Sequence, residues 1–152
     1  MLRVVIVLLV FLFLHIPVLY HFILNIHTRS FYKNPFINVF GVIIFLLGFI
    51  LSMWARICLG KNWGMPMSVK EKPELVTKGP YAYVRHPIYT GMIFAMLGTT
   101  LVVTIFWLIP FIILSAYFIY SLKIEEREML KQFPKDYMAY KRRTKALIPF
   151  VY

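Results

Sequence analysis

Acidic side chains are scarce in this chain of 152 residues: six Asp and Glu stand against 17 Lys and Arg, and charged residues make up only 15%. So little charge leaves no polar shell for a soluble fold. With 61% of residues hydrophobic and a mean hydropathy of +0.74, no soluble domain of this length can hide its apolar surface, which points to an integral membrane protein. The single cysteine, Cys58, excludes an internal disulfide and reads as an inert small residue near a helix end. Internal repeats and low-complexity tracts are absent, so residues 1–152 are expected to form one domain. No metal site is expected. His15, His21 and His27 are each six residues apart, about 240° around a helix and not one face, so with Asn25 they read as interfacial anchors.

What is present is apolar length. About 20 apolar residues cross a bilayer core roughly 30 Å thick. Residues 4–24 qualify, and the length of that run, with no small-residue cleavage site, predicts a retained span rather than a signal peptide. Residues 36–57 qualify as a second span. From Ile88 to Leu122 there are 35 residues without a formal charge. As one helix they would measure about 52 Å, too long for a single crossing. Two shorter spans are therefore expected, 88–103 and 105–122, joined by a tight turn with its corner around Gly98, Thr99, Thr100 and the β-branched Val102 to Thr104. The predicted fold class is an all-α integral membrane protein. It has four transmembrane helices, the third and fourth forming a short hairpin, and a helical C-terminal tail.

Charge placement predicts the orientation. If the N-terminus, the loop after the second span and the tail share one side, that side holds 15 of the 17 basic residues, leaving only Arg29 and Lys33 opposite. The positive-inside rule makes the rich side cytoplasmic, with both termini there, in a bacterial inner membrane or in the endoplasmic reticulum of a eukaryote. A net charge of +11 is accounted for by topology and by anionic lipid head groups, and no nucleic-acid partner is expected.

Two cytoplasmic segments remain, 60–87 and 123–152. The first is punctuated by Pro66, Pro73 and Gly79-Pro80 and reads as loop. His86 precedes a proline, which pushes it out of the α region, so the third span is predicted to start at Pro87 with His86 as N-cap. Within that span Gly91, Ala95 and Gly98 form a small-residue stripe that admits a close helix neighbour. Pro110 is expected to bend the fourth span. Lys123 to Glu128 continues that span as a helix into the cytosol, until Pro134 breaks it and starts another. Tyr137, Tyr140 and Thr144 share a face of this last helix, which is expected to lie on the membrane surface.

A hairpin between the third and fourth spans has a chemical consequence. It returns the chain beside its starting point, so Arg85 and His86 must lie near Glu125 and Glu126, with Tyr81, Tyr83 and Tyr89 close by. S-adenosylmethionine presents a carboxylate, an ammonium, a cationic sulfonium, a ribose diol and an adenine. A helix N-terminus with an arginine suits the first, a glutamate the ammonium or the diol, and tyrosine faces the adenine or sulfonium. The same residues equally suit a structural clasp in which Arg85 pairs with Glu125 or Glu126.

The run from Gly79 to Gly91, Gly-Pro-Tyr-Ala-Tyr-Val-Arg-His-Pro-Ile-Tyr-Thr-Gly, resembles the signature of the isoprenylcysteine carboxyl methyltransferase family. Leu75-Val76-Thr77 before it, Leu59 to Trp63 upstream, and Glu125-Glu126, Phe133, Tyr137, Tyr140 and Leu147-Ile148-Pro149 after it resemble the family's pattern in order and spacing. The resemblance covers about the last two-thirds of the chain. It implies an S-adenosyl-L-methionine-dependent methyltransferase acting on a lipophilic or small-molecule methyl acceptor. It implies cofactor contacts from Pro73, Glu74, Leu75, Val76, Tyr81, His86, Pro87, Ile88, Tyr89 and Glu125; Arg85 and Glu126, placed beside these by the hairpin, are expected as the catalytic pair. Two positions depart from the family: Pro134 stands in place of glycine. Ser121 stands in place of the arginine that in longer members binds the substrate carboxylate, leaving Lys123 or Arg85 for that task. Phospholipid N-methyltransferases share the Arg-His-Pro-x-Tyr element and would need a base to remove a proton from the methylated amine. A sterol-type membrane reductase using NADPH and a non-enzymatic scaffold are the other readings.

Overall fold

The computed structural model describes residues 34–62, 74–103 and 105–148; the first expected span lies outside these residues. Among the described residues the chain forms four α-helices and no β-strand. Helix α1 runs Pro35–Leu59. Asn34 caps it, its side-chain oxygen accepting the Phe36 amide at 3.0 Å, and Pro35 takes the first helical position, where its missing N–H leaves nothing unpaired. A 3₁₀ turn, Gly60–Asn62, follows. The chain resumes in extended backbone at 74–77 and enters a second 3₁₀ turn, Gly79–Ala82. Gly79 opens that turn at φ 61°, and an added Cβ would stand 2.8 Å from Cys58 Sγ, so both conformation and space demand glycine. Helix α2 is Pro87–Val102, with His86 in the N-cap position as the sequence predicts. After a 3₁₀ turn at Ile105–Trp107, helix α3 runs unbroken from Leu108 to Gln132 and helix α4 occupies Pro134–Arg143.

Helices α1 and α3 are long and apolar enough to cross a membrane, whereas α2, at 16 residues, is only about 24 Å long. Phe40, Leu47 and Ile50 of α1 and Ile109, Ile112 and Ile113 of α3 are exposed, an outward apolar surface that suits lipid. Helix α1 lies backbone to backbone on α2. Gly41 and Gly48 face the stripe expected on α2: a Cβ on Gly98 would stand 2.5 Å from the Gly41 carbonyl oxygen, and one on Gly48 2.5 Å from the Ala95 amide. Ser52 Oγ, on the same face of α1, donates to the Ile88 carbonyl at 3.2 Å. Lipid removes the hydrophobic drive for helix association, so close packing of this kind carries the contact. On its other side α2 meets α3 through Met92, Ala95, Met96 and Phe118, with Phe111 and Leu114 packed against them.

Two local expectations are overturned. Gly98, Thr99 and Thr100 are not at the corner but buried inside α2. Gly98 is used for close approach, and both threonine hydroxyls donate back along the helix, to Ala95 O at 2.9 Å and Met96 O at 3.0 Å, so neither seeks a turn. Pro110 does not bend α3, because the helix starts at Leu108 and its first turn has no intrahelical donors to lose. At Gly98 the predicted outcome of substitution is direct. Gly98→Ala should overpack the α1–α2 contact and cost about 1–3 kcal/mol, seen as a lower melting temperature in detergent. Ala116→Val, at an exposed position of α3, should not. An unchanged midpoint for Gly98→Ala would refute the backbone contact.

Candidate active site

The start of α2 and the charged end of α3 meet as the hairpin requires, and a third element joins them. The segment after α4 runs alongside the one before α2. Val84 and Lys145 form an isolated parallel bridge, the Arg85 amide donates to Lys145 O at 2.8 Å and the His86 amide to Ala146 O at 3.0 Å. Thr90 Oγ1 donates to Leu147 O at 2.7 Å, and Tyr140 Oη to Tyr81 O at 2.6 Å. The aromatic face of α4 is spent here: Tyr137 and Tyr140 are buried against the protein, and burial there satisfies the Tyr140 hydroxyl.

Glu126 sits at the centre. Arg85 Nε donates to its Oε1 at 2.7 Å, with Nη2 at the same distance, while Lys141 Nζ holds Oε2 at 2.6 Å. Arg85 Nη1 turns the other way, to the carbonyls of Thr144 and, at 3.4 Å, Lys141. The side chains of Arg85 and Glu126 are 8% and 10% exposed, so this is a buried clasp and not a surface ion pair. Burial alone would raise the Glu126 pKa; His86, Lys141 and Arg85 outweigh it and hold it near about 2. Glu125, one residue earlier, belongs to a second group. It accepts the Tyr89 hydroxyl and lies 3.3 Å from His86 Nδ1. Burial disfavours a charged His86, but the hydrogen bond to Glu125 and the nearby Glu126 prevail, and its pKa is raised. His86 Nε2 is buried without a hydrogen-bond partner, 3.7 Å from Glu126 Oε1. The His86, Tyr89 and Phe118 rings stack in file, at centroid spacings of 5.7 and 5.0 Å.

Of the residues expected to form the site, Arg85, His86, Pro87, Ile88, Tyr89, Glu125 and Glu126 are drawn together where α2 starts and α3 ends. Tyr81 is buried beside them, its phenol pushed up first by burial and then by Tyr140 and Glu125. Tyr83 is 66% exposed and points away. Glu74, Leu75 and Val76 lie in the extended stretch before the second 3₁₀ turn, where the Glu74 amide donates to Asn62 Oδ1 at 3.1 Å. Pro73 falls outside the described residues. Sequence reasoning missed Lys141 as a partner of Glu126, and it missed Thr90 and Thr144. The i to i+7 repeat of Gly41 and Gly48, continued by Ser52, is a signal that could have located the α1 face.

The Arg-His-Pro segment and the paired glutamates it is held against lie within a stretch that matches a family of methyltransferases. Residues 36–136 match the phospholipid methyltransferase family, and the chain belongs to that family. It is 28% identical to the protein-S-isoprenylcysteine O-methyltransferase of Xenopus laevis over 119 residues, 76% of this chain and 41% of the relative. With isoprenylcysteine O-methyltransferase B of Arabidopsis thaliana it shares 28% identity over 123 residues, 78% of this chain and 62% of the relative. Methanethiol S-methyltransferase 1 of Bradyrhizobium diazoefficiens is 35% identical over 78 residues, 51% of this chain and 27% of the relative. The chain thus spans only part of the length of the curated relatives it matches.

The Glu126 carboxylate and the His86 imidazole predict opposite pH limbs. The Glu126 pKa falls from 4.5 to about 2 on folding, so its contribution to stability is complete above about 4.5 and is lost as pH drops through 2. The His86 pKa is raised above 6.5, so its contribution is complete below 6.5 and is lost as pH rises through the folded value. Melting temperature in detergent should therefore peak between these windows. Glu126→Gln should abolish the acid limb and His86→Gln the alkaline one; an acid limb of undiminished size in Glu126→Gln would reassign it.

Proposed function

We propose that this chain is a single-domain membrane methyltransferase that uses S-adenosyl-L-methionine, its four spans placing both termini and the site at the cytoplasmic face. The observation that carries the reading is the cluster of His86, Tyr89 and Glu125 at the start of α2, within a stretch that matches a methyltransferase family. The residues fit the cofactor. Glu125 is a carboxylate whose side chain is 24% exposed, open to an ammonium or a ribose diol, and His86 Nε2 is a buried polar atom awaiting a partner. Tyr81 and Tyr89 bring aromatic faces suited to a sulfonium, and the positive end of α2, at Pro87 and Ile88, suits the cofactor carboxylate. By the family resemblance Glu74, Leu75 and Val76 contact the adenine, as does Pro73, which lies outside the described residues. When bound, the cofactor supplies an electrophilic methyl on a cationic sulfonium. The chain's part is then largely positioning, which can supply on the order of 7–11 kcal/mol.

The acceptor is a small or lipophilic molecule reaching the site from the membrane edge. By family resemblance it is a carboxylate, as in the isoprenylcysteine O-methyltransferases. One observation favours a second reading, a thiol acceptor as in the methanethiol S-methyltransferases. Arg85 is turned to Glu126 and two backbone carbonyls, so clamping an acceptor carboxylate would require it to leave that clasp. Arg85 and Glu126, expected as the catalytic pair, then act by holding the start of α2 and the tail in register. Anionic head groups lie against the basic cytoplasmic face.

Calorimetric titration should show binding of S-adenosylmethionine and not of NADPH. Glu125→Gln keeps size and removes charge; loss of a charge-assisted hydrogen bond of about 1.5–3 kcal/mol should weaken that binding roughly tenfold or more. Unchanged affinity with helicity retained would remove Glu125 from the site, and NADPH binding instead would favour the reductase. Labelled methyl transfer to an S-prenylated cysteine bearing a free carboxylate, against an alkyl thiol, separates the two acceptors. For topology, a reporter fused after Tyr152 should be active only on the cytoplasmic side; activity on the opposite side would overturn the orientation.

A further inference from the structure

Outside the Glu125 group, the described residues form a surface depression of about 190 Å³ at the join between α4, the tail and the residue pair before Val84. That is far above the roughly 10–15 Å³ that one water molecule needs. Tyr83, Lys141, Arg142, Arg143, Thr144 and Lys145 line it. Four of its seven lining residues are cationic, and no acidic residue occurs in the sequence between Asp136 and Tyr152 to neutralise them. Lys141 is partnered by Glu126, which leaves the cationic ends of Arg142, Arg143 and Lys145 on exposed residues around a concave floor. Part of this charge opposes the negative C-terminal end of α4, and that requirement alone calls for no concavity.

Location narrows the ligand. Tyr83 lies four residues before Pro87, where the apolar helix α2 begins, and at 66% exposure it offers an aromatic ring with a hydroxyl at the level where such side chains favour head groups. We propose that this depression is a binding site for the phosphate of an anionic membrane lipid, with Arg142, Arg143 and Lys145 taking the phosphate oxygens and Tyr83 the glycerol edge. Arginine forks match phosphate geometry, and anionic leaflets concentrate the ligand at this depth. The site is built from the same chain segment that closes the candidate active site. Lys141 holds Glu126, Thr144 O accepts from Arg85, and Lys145 O accepts the Arg85 amide. A lipid seated there holds the tail against the start of α2.

The proposal rests on the membrane placement given above but not on methyl transfer, and its test reads lipid binding alone. Detergent-purified protein is titrated with phosphatidylglycerol or phosphatidylcholine, and lipid retention is measured by native mass spectrometry alongside melting temperature. Phosphatidylglycerol should be retained and should raise the melting temperature, phosphatidylcholine should do neither. Arg142→Gln/Arg143→Gln should lower phosphatidylglycerol retention on the order of 25-fold, since each basic residue near an anionic surface contributes about a fivefold factor. Lys123→Gln/Lys135→Gln removes equal charge from exposed positions that do not line the depression and should retain the lipid. Equal loss in both double variants would reduce the site to diffuse surface charge and overturn it. Displacement by free glycerol 3-phosphate at the concentrations at which the lipid binds would overturn the lipid as occupant. Failure of S-adenosylmethionine to bind would leave these outcomes unaffected.

Discussion

Among the described residues, Glu126 is the carboxylate on which three separate stretches of chain converge. It belongs to α3, Arg85 to the segment before α2 and Lys141 to α4, and both cations reach it within hydrogen-bonding distance. A buried carboxylate without partners is strongly destabilising, so the native arrangement is the one that supplies both. Such a triad is weak evidence of net stability, because desolvation opposes the Coulombic gain. What it supplies is register. The rotation of α3 about its axis, the docking angle of α4 and the position of Arg85 are set by the same two oxygens. Glu125, its neighbour in sequence, is thereby turned toward His86 and Tyr89.

The helices below this triad leave the site little room to drift. Glycine-to-glycine contact pins α2 to α1 along its length, and the Ser52 bond to Ile88 O ties the two together one turn from His86. Phe118 presses on Tyr89 from the other side. The start of α2 is therefore fixed by packing in the apolar layer and by ion pairs in the polar one. Two kinds of force meet at the candidate site.

Much of this was legible in the sequence because it depended on local rules or on chain reversal. The start of α2 followed from what proline forbids at His86. The meeting of Arg85 and His86 with Glu125 and Glu126 followed from the length of one uncharged run, which is too long for one helix. Other features were not legible. Lys141 finds Glu126 only because the backbone at Phe133 turns through φ −131° and ψ 65°, an angle no residue pattern announces. Gly98 to Thr100 were wrongly assigned to the corner after α2 because Gly98 carries two meanings, a turn residue or a point of close approach, and only the partner helix decides between them. Pro110 was misread because its effect depends on whether the helix has already begun.

The pairing of the tail with the start of α2 also orders events in time. The bond from Thr90 to Leu147 spans 57 residues of chain, and helices α3 and α4 and most of α2 lie between them. During synthesis Arg85 and His86 leave the ribosome long before Lys141, Thr144 or Ala146 exist. The start of α2 and the end of α3 are therefore made before the segment that closes over them. Enclosure of the site waits on that segment by the order of the chain itself.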